Sequence, residues 1–221
     1  MKIGIIIAMD IEYRQMLDVL GGKPQGTIAG NEITLLQCGI GKVNAAIGTL
    51  NLINEHKPDC ILSTGLAGGI DARLNVWDTV VASQTAYHDV YCGMGCEEGQ
   101  IQGLPTRFES YKLIVDTVMK QFKPEGDTKF MEGLICTGDQ FITDVEPLKA
   151  IEKKFPDVLA CDMESAAIAH TCFLKKVPFA SIRIISDTPG RTNNHAMQWE
   201  DSLRMMSGQS FHIVNELLKS L

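Results

Sequence analysis

The sequence predicts an α/β sandwich built on a largely parallel β-sheet, and three observations indicate it. Short runs rich in Ile, Val and Leu recur, they alternate with segments of helical hydrophobic spacing, and polar or glycine-rich residues follow most of them. Continuous apolar runs of this length are typical of strands that are covered on both faces. Regular alternation of strands and helices favours a mostly parallel sheet with helices against its faces.

The elements follow from the same two patterns. Runs such as KIGIIIA predict strands over 2–8, 33–39, 59–65, 78–83, 132–138 and 179–186, and the apolar run at 155–160 indicates a further strand. Apolar residues three or four positions apart predict helices over 11–20, 42–56, 109–122, 164–176 and 201–221. Because no repeat, low-complexity tract or linker interrupts them, we expect one domain over residues 1–221.

Composition excludes several classes of protein. The 221 residues are 45% hydrophobic, which is enough for one large core, and the net charge of −7 without a Lys/Arg cluster argues against nucleic-acid or membrane partners. The N-terminal apolar run is too short to span a bilayer and is followed by Asp10, so we expect a strand there and not a signal peptide. Seven cysteines, an odd number, indicate reduced thiols and a cytoplasmic protein. Cys92 and Cys96 lack two further ligands nearby, so no metal site is expected.

Polar segments follow the predicted strands, and three acids stand out among them. Glu12, Glu164 and Asp187 each come at or just after the carboxyl end of a strand. In open α/β sheets these ends meet at the ligand site. Each acid also has a purely structural explanation: Glu12 could complement a helix dipole, Asp187 could form a turn, and Glu164 could lie in a first helical turn capped by Asp162.

Arg183 and the methionines strengthen the functional interpretation. An arginine inside the buried run SIRIISD is costly unless it is paired, so Arg183 is expected to contact an acid and to share a strand face with Asp187 if the strand continues. Met9 and Met163 each stand beside acids, where a thioether could pack against an apolar or sulfur-bearing ligand.

Two glycine-rich segments carry weaker signals. STGLAGG (63–69) is interpreted as a strand-to-helix turn, and it is not a Walker loop because no GK[ST] follows. In CGIGKVNA (38–45) the glycines could be simple turn residues, and Lys42 at the helix start could face solvent.

Taken together and in order, KIGIIIAMDIE, CGIGKVNAA, STGLAGG, AYHDV, GDQFI, CDMESAAIAH and RIISD resemble 5′-methylthioadenosine/S-adenosylhomocysteine nucleosidases, of the purine nucleoside phosphorylase-like superfamily. The resemblance runs essentially the whole length of the chain. It implies a three-layer αβα sandwich around a twisted, mostly parallel or mixed sheet. It also implies a homodimer that binds a small nucleoside, hydrolyses its N-glycosidic bond and needs no cofactor.

The resemblance also assigns roles to particular residues. Asp187 would face N7 of adenine, Glu12 the attacking water and Glu164 the ribose hydroxyls. The remaining substrate-binding set is Met9, Phe141, Ile142, Met163, Arg183 and Ser186, with Met94 and Trp199 as candidates for the 5′ pocket.

The chemistry of these residues agrees with such a reaction. Adenine leaves easily only when it is protonated, and burial raises the pKa of a carboxyl group so that it can donate that proton. The ribosyl group becomes cation-like and is stabilised by carboxylates, while a base deprotonates water.

The chain departs from the family pattern at three places. Leu66 stands where a serine is usual near the nucleophile, the segment 89–100 is a residue shorter than expected, and 186–203 differs in spacing, with Trp199 near an expected Phe. Three alternatives therefore stay open: a phosphorylase, an enzyme for a different purine nucleoside, and a non-catalytic nucleoside-binding homologue. Phosphate would need several cationic or hydroxyl donors, and Arg183 alone is insufficient.

Overall fold

The computed structural model describes residues 1–123, 126–189, 195–205 and 211–221. The strands are β1 (Lys2–Ile7), β2 (Gln25–Ile28), β3 (Asn31–Gln37), β4 (Cys60–Gly69), β5 (Thr79–Tyr87), β6 (Arg107–Glu109), β7 (Phe130–Thr137), β8 (Val158–Asp162) and β9 (Phe179–Asp187). The helices are α1 (Asp10–Val19), α2 (Lys42–His56), α3 (Lys112–Gln121), α4 (Val145–Lys154), α5 (Ser165–Lys175), α6 (His195–Met205) and α7 (His212–Ser220).

The described strands form one mixed sheet. Their order is β2-β3-β1-β4-β8-β7-β5-β6, and β9 pairs with both β4 and β5. The pairs β1–β3, β1–β4, β4–β9, β5–β7 and β7–β8 are parallel, and β2–β3, β4–β8, β5–β6 and β5–β9 are antiparallel. Because β9 joins β4 to β5, the strands β4, β8, β7, β5 and β9 close into a ring. The strand pattern of the sequence did not predict this closure.

Helices cover both faces of the sheet, as the α/β prediction requires. Ile5 of β1 lies in a core cluster with Met16 of α1 and residues of α3 and α7. Its neighbour Ile6 lies in a second cluster with Leu52 of α2 and residues of α5. Successive side chains of a strand point to opposite faces, so β1 is covered on both sides. Burial of each such isoleucine contributes about 1.5–3 kcal/mol.

The segment STGLAGG is a strand, and its interpretation as a turn is wrong. Residues 63–69 complete β4, which pairs in parallel with β9 and, through Gly68 and Gly69, antiparallel with β8. The glycines remain in the strand because neighbours approach closely. A Cβ at Gly69 would lie 2.9 Å from a methyl carbon of Ile185.

Two predicted helices have different bounds from those expected. Residues 107–109 form β6, where the side chain of Gln84 donates to Glu109 at 2.6 Å, and α3 begins only at Lys112. The C-terminal stretch contains α6, which begins at His195, and α7, which begins after its N-cap residue Phe211. Of the described helices, none is both long and apolar enough to cross a membrane.

Candidate active site

The carboxyl ends of β1, β8 and β9 meet β4 at an open cavity with about 670 Å³ of empty space, part of it open to solvent. Most of the predicted site residues line it: Met9, Glu12, Phe141, Ile142, Met163, Glu164, Ser186, Asp187 and Trp199. Further lining residues are Ala8, Ile40, Leu66, Ala67, Gly68, Gln140, Cys161 and Asp162. Arg183 and Met94 lie outside this lining, so the structure brings together the three acids but not every predicted residue.

Two backbone hydrogen bonds hold the carboxylate of Glu12 at the start of α1. Its Oε2 accepts the backbone N–H of Met9 at 3.1 Å, and its Oε1 accepts that of Leu66 at 3.0 Å. Burial raises the pKa of Glu12 above its usual value, and the two hydrogen bonds lower it only partly. Gly65 makes room for this carboxylate, since a Cβ there would lie 2.7 Å from Oε1 and the residue has a φ of +151°.

Glu164 is the N-cap residue of α5 and is buried beside the cavity. Its Oε1 accepts the backbone N–H of Gly41 at 2.8 Å. Burial, and next the nearby carboxylate of Asp162, raise the pKa of Glu164 to about 7. A group with such a pKa changes its charge close to neutral pH.

Asp162 lines the cavity and is hydrogen-bonded to several of its neighbours. Its carboxylate accepts the N–H of Glu164 at 3.3 Å and that of Ser165 at 3.2 Å, so it satisfies N–H groups at the start of α5. The expected position of Glu164 in the first turn is wrong, because Glu164 is itself the N-cap residue. Asp162 also accepts hydrogen bonds from the hydroxyl of Thr137 at 2.5 Å and from Nε of Arg183 at 2.9 Å. These contacts fix the position of the Glu164 backbone.

Arg183 is 2% exposed and pairs with an acid, as predicted. Its Nε contacts Asp162 at 2.9 Å, and its Nη2 donates to the hydroxyl of Ser63 at 2.9 Å. The buried Nη1 has no hydrogen-bond partner among the described residues. The positive charge of the guanidinium nevertheless lies close to Glu12 and Glu164. It offsets part of the rise that burial causes in the pKa of each carboxyl group.

Asp187 follows a β-bulge at the end of β9. The register with β4 skips Ser186, because Ile185 pairs with Ala67 and Asp187 with Gly68. The bulge shifts the alternation, so Ser186 and Asp187 both line the cavity whereas Arg183 does not. The expectation that Arg183 and Asp187 share a face is therefore wrong. The hydroxyl of Ser186 donates to Oδ1 of Asp187 at 2.5 Å.

Helix α6 covers one side of the cavity. The hydroxyl of Ser202 donates to the carbonyl oxygen of Ser186 at 2.6 Å, which ties the helix to the bulge. Trp199 lines the cavity and meets Phe141 edge-on, with ring centroids 5.4 Å apart. Met94 is fully exposed in the segment 89–100. Residues 190–194, part of the segment of unusual spacing, lie outside the described residues.

Comparison with known proteins establishes the family. The family model described as "Phosphorylase superfamily" matches residues 2–219. A 5′-methylthioadenosine/S-adenosylhomocysteine nucleosidase of Haemophilus influenzae is 37% identical, with both chains covered completely, and one of Lysinibacillus sphaericus is 36% identical with the same coverage. The chain belongs to this family of nucleosidases.

Solved structures of the nucleosidase family share the fold. The enzyme of Neisseria meningitidis, in complex with methylthio-immucillin-A, superposes with a TM-score of 0.90 at 34% identity over 100% of this chain and 99% of that one. The enzyme of Colwellia psychrerythraea 34H, in complex with adenine, gives a TM-score of 0.92 at 35% identity over 100% and 96%. The predicted nucleoside phosphorylase-like architecture is thus confirmed.

Some residues that line the cavity were not singled out from the sequence. Ile40, Gln140 and Cys161 each lie within or beside a motif that was, so proximity to those motifs was the available signal. Lys42, which could have faced solvent freely, is 22% exposed, and its Nζ contacts Asp89 at 2.7 Å. Within the described residues, no group of three or more His, Cys, Asp or Glu side chains is placed to hold a metal ion.

Proposed function

We propose that the chain hydrolyses the N-glycosidic bond of 5′-methylthioadenosine, S-adenosylhomocysteine or both, and releases adenine and the thioribose. The observation that carries this proposal is one cavity lined by Glu12, Glu164 and Asp187 together with apolar and aromatic walls. The names of the relatives and the adenine bound to one solved structure support it.

Asp187 is the general acid of the proposed reaction. The C1′–N9 bond breaks with its electron pair going to the purine, and Asp187 supplies a proton to N7. The hydroxyl of Ser186 on Oδ1 fixes the carboxyl group at the cavity wall. A fixed donor needs no reorganisation as the charge on the base develops.

Glu12 is the general base. Water attacks C1′ and loses a proton to Glu12, whose raised pKa makes it a stronger base than an exposed glutamate. Arg183 assists Glu12 in orienting the reactants, because its Nη1 is buried and has no hydrogen-bond partner in the described part of the chain. A water or ribose hydroxyl would satisfy that donor.

Glu164 and Met163 bind the sugar. A carboxylate can accept two hydroxyl hydrogen bonds, and Gly41 already orients one oxygen of Glu164. Met163 lies beneath the ribose, and its neighbouring carboxylates stabilise the cation-like sugar of the transition state.

The base and the 5′ substituent take the apolar parts of the cavity. Phe141 and Ile142 hold adenine by stacking and backbone contacts, and Met9 and Trp199 form the 5′ pocket. Met94 completes that pocket in the partner of a homodimer. The full exposure of Met94 supports an apolar subunit interface, as do exposed Ile40, just before α2, and exposed Val43 and Ile47 in its first turns.

Water is a better nucleophile for this site than phosphate. Among the described residues, the cavity lining contains four carboxylates and no Lys, Arg or His side chain. Ser63 is already bound to Arg183. A phosphate dianion would be repelled here, whereas a cationic sugar is attracted. The site requires no cofactor for this chemistry. We also propose that residues 1–221 form one domain and that the protein is cytoplasmic.

A substrate panel tests the proposal. Purified protein is incubated separately with 5′-methylthioadenosine, S-adenosylhomocysteine and adenosine, and free adenine is quantified. Release from either of the first two substrates, faster than from adenosine, supports the proposal. Release from adenosine alone would indicate another nucleoside substrate, and release from none would indicate a binding protein. Sedimentation at the assay concentration tests the dimer, and a fully active monomer would contradict it.

A further inference from the structure

Three segments around the cavity meet in a closed set of contacts formed by Lys42, Asp89 and Asp139, here called the Lys42 ring. Nζ of Lys42 donates to both carboxylate oxygens of Asp89, at 2.8 and 2.7 Å. The backbone N–H of Asp139 donates to Oδ2 of Asp89 at 2.9 Å. The backbone N–H of Lys42 donates to Oδ1 of Asp139 at 2.8 Å, which closes the ring.

The ring is one residue away from the contact that orients Glu164. Gly41 and Lys42 are consecutive, and their N–H groups hold the carboxylates of Glu164 and Asp139, each at 2.8 Å. The turn is tight, since Gly41 has a φ of +95° and a Cβ there would lie 3.1 Å from Oδ1 of Asp139. A shift of Asp139 would therefore displace the Gly41 peptide and, with it, Glu164.

Asp139 and Asp89, the other two residues of the Lys42 ring, each adjoin another segment of the site. Asp139 directly precedes Gln140, Phe141 and Ile142, which line the cavity, and Asp89 begins the segment that carries Met94. None of the three ring side chains lies among the cavity lining residues of the described chain. The ring therefore connects the ends of the site without occupying it.

The ring is charged, and its Lys42–Asp89 pair is partly shielded from water. The side chains of Lys42 and Asp89 are 22% and 20% exposed, whereas that of Asp139 is 46% exposed. Burial raises the pKa of Asp89, but the hydrogen bonds from Lys42 and from the N–H of Asp139 outweigh it, so the pKa lies below its ordinary value. Charge-assisted hydrogen bonds in such surroundings are stronger than those between exposed groups.

We propose that Lys42, Asp89 and Asp139 are positioning residues that fix Glu164 relative to residues 140–142. In the nucleoside site proposed above, on which this inference rests, they hold the ribose-binding carboxylate and the base-binding loop at one spacing. A ligand that spans both ends depends on that spacing, whereas adenine alone contacts only one end.

The experiment compares binding of a spanning ligand with binding of adenine in ring variants. For Lys42→Met we expect KM for 5′-methylthioadenosine to rise about tenfold, while the Kd of adenine changes less than about threefold. Lys42→Arg keeps the charge and should recover part of the loss. Lys120→Met removes an exposed ion pair with Asp116 and is the matched control, with no change expected in either quantity.

Asp89→Asn tests the same ring with little change in shape. We expect it to raise KM as Lys42→Met does, and the double variant to be no worse than the single ones, because they break one unit. Thermal unfolding identifies folded variants before kinetics are measured.

Two results would overturn the inference. The first is a set of folded variants in which KM for 5′-methylthioadenosine stays within twofold of the parent value, or in which this KM and the Kd of adenine rise together. The other is ring variants that all fail to fold, which would assign the ring to stability alone. If the parent protein itself releases no adenine, the proposed function fails first, and that result is distinct from an active parent with unaffected variants.

Discussion

Oε1 of Glu12 lies 3.0 Å from the backbone nitrogen of Leu66, so the main chain of β4 holds the proposed general base. The side chain of Leu66 takes no part in this hydrogen bond and lines the cavity instead. A substitution at position 66 can therefore change the surroundings of the nucleophile without releasing Glu12.

Leu66→Ser is expected to raise turnover on 5′-methylthioadenosine, or at least not to lower it. The hydroxyl would help to orient the attacking water, an effect worth roughly a hundredfold in a desolvated site. Steady-state kinetics on 5′-methylthioadenosine, S-adenosylhomocysteine and adenosine measure it. Leu66→Ala removes similar volume without adding a hydroxyl and is the control. Loss of activity of the Ser variant on all three nucleosides would mean that Leu66 belongs to a site for another substrate.

Gly65→Ala is expected to reduce turnover by roughly a hundredfold, because the new Cβ would lie 2.7 Å from Oε1 of Glu12 and displace the carboxylate. Backbone strain of an alanine at a φ of +151° lowers the free energy of unfolding by about 1 kcal/mol or more. Gly26→Ala in β2 is the control, since its nearest neighbour would be 3.8 Å away. Kinetics and thermal unfolding are compared for both variants, and unchanged turnover of Gly65→Ala would disconnect Gly65 from the position of the base.

Asp187→Asn should lower adenine release by ~10²–10⁴-fold or more, since an amide cannot supply the proton. The fold should survive, because the amide oxygen can still accept the hydrogen bond of the Ser186 hydroxyl. Adenine release and the melting temperature are measured beside Asp116→Asn, a change at an exposed ion pair with Lys120. Turnover close to the parent rate would remove Asp187 from the role of acid.

The raised pKa of Glu164 predicts that stability falls and activity rises as the pH increases. The folded pKa of about 7 exceeds the ordinary value of 4.5, mainly because of burial. The folded state then binds the extra proton, so this contribution to stability is fully present below about pH 4.5 and is lost as pH rises through about 7. Binding of the ribose needs the ionised form, so kcat/KM should rise over the same range.

Denaturant unfolding at several pH values checks the stability trend. Glu164→Gln does not titrate, so the difference between parent and variant isolates Glu164 from Glu12, whose pKa is also raised. A parent and variant with parallel stability curves would show that Glu164 does not titrate in this range.

Continuous apolar runs made most of the sheet predictable from the sequence. A strand such as β1 is buried on both faces and carries the signal in its own residues. Strand β2 is short and lies at the sheet edge with half its residues exposed, so it carries little signal. Helix α4 was also missed: it is largely polar, with Leu148 and Ile151 as its buried residues and a proline in its first turn.

The site residues were predicted better than their connections. Acids at strand ends indicated Glu12, Glu164 and Asp187, because the ends of parallel strands converge. The bulge at Ser186 and the strand conformation of 63–69 depend on pairing between β4 and β9, which are far apart in the chain. Lys42 gave no signal because its partner Asp89 is 47 residues away. Such contacts follow from the fold and not from local pattern.

The nature of the nucleophile is the central claim, and product analysis tests it most directly. The protein is incubated with 5′-methylthioadenosine in phosphate-free buffer and again with added phosphate, and the sugar product is identified by mass spectrometry. We predict adenine and methylthioribose in both cases, at rates that phosphate does not raise. Adenine release that requires phosphate, with a sugar 1-phosphate as the product, would contradict the claim.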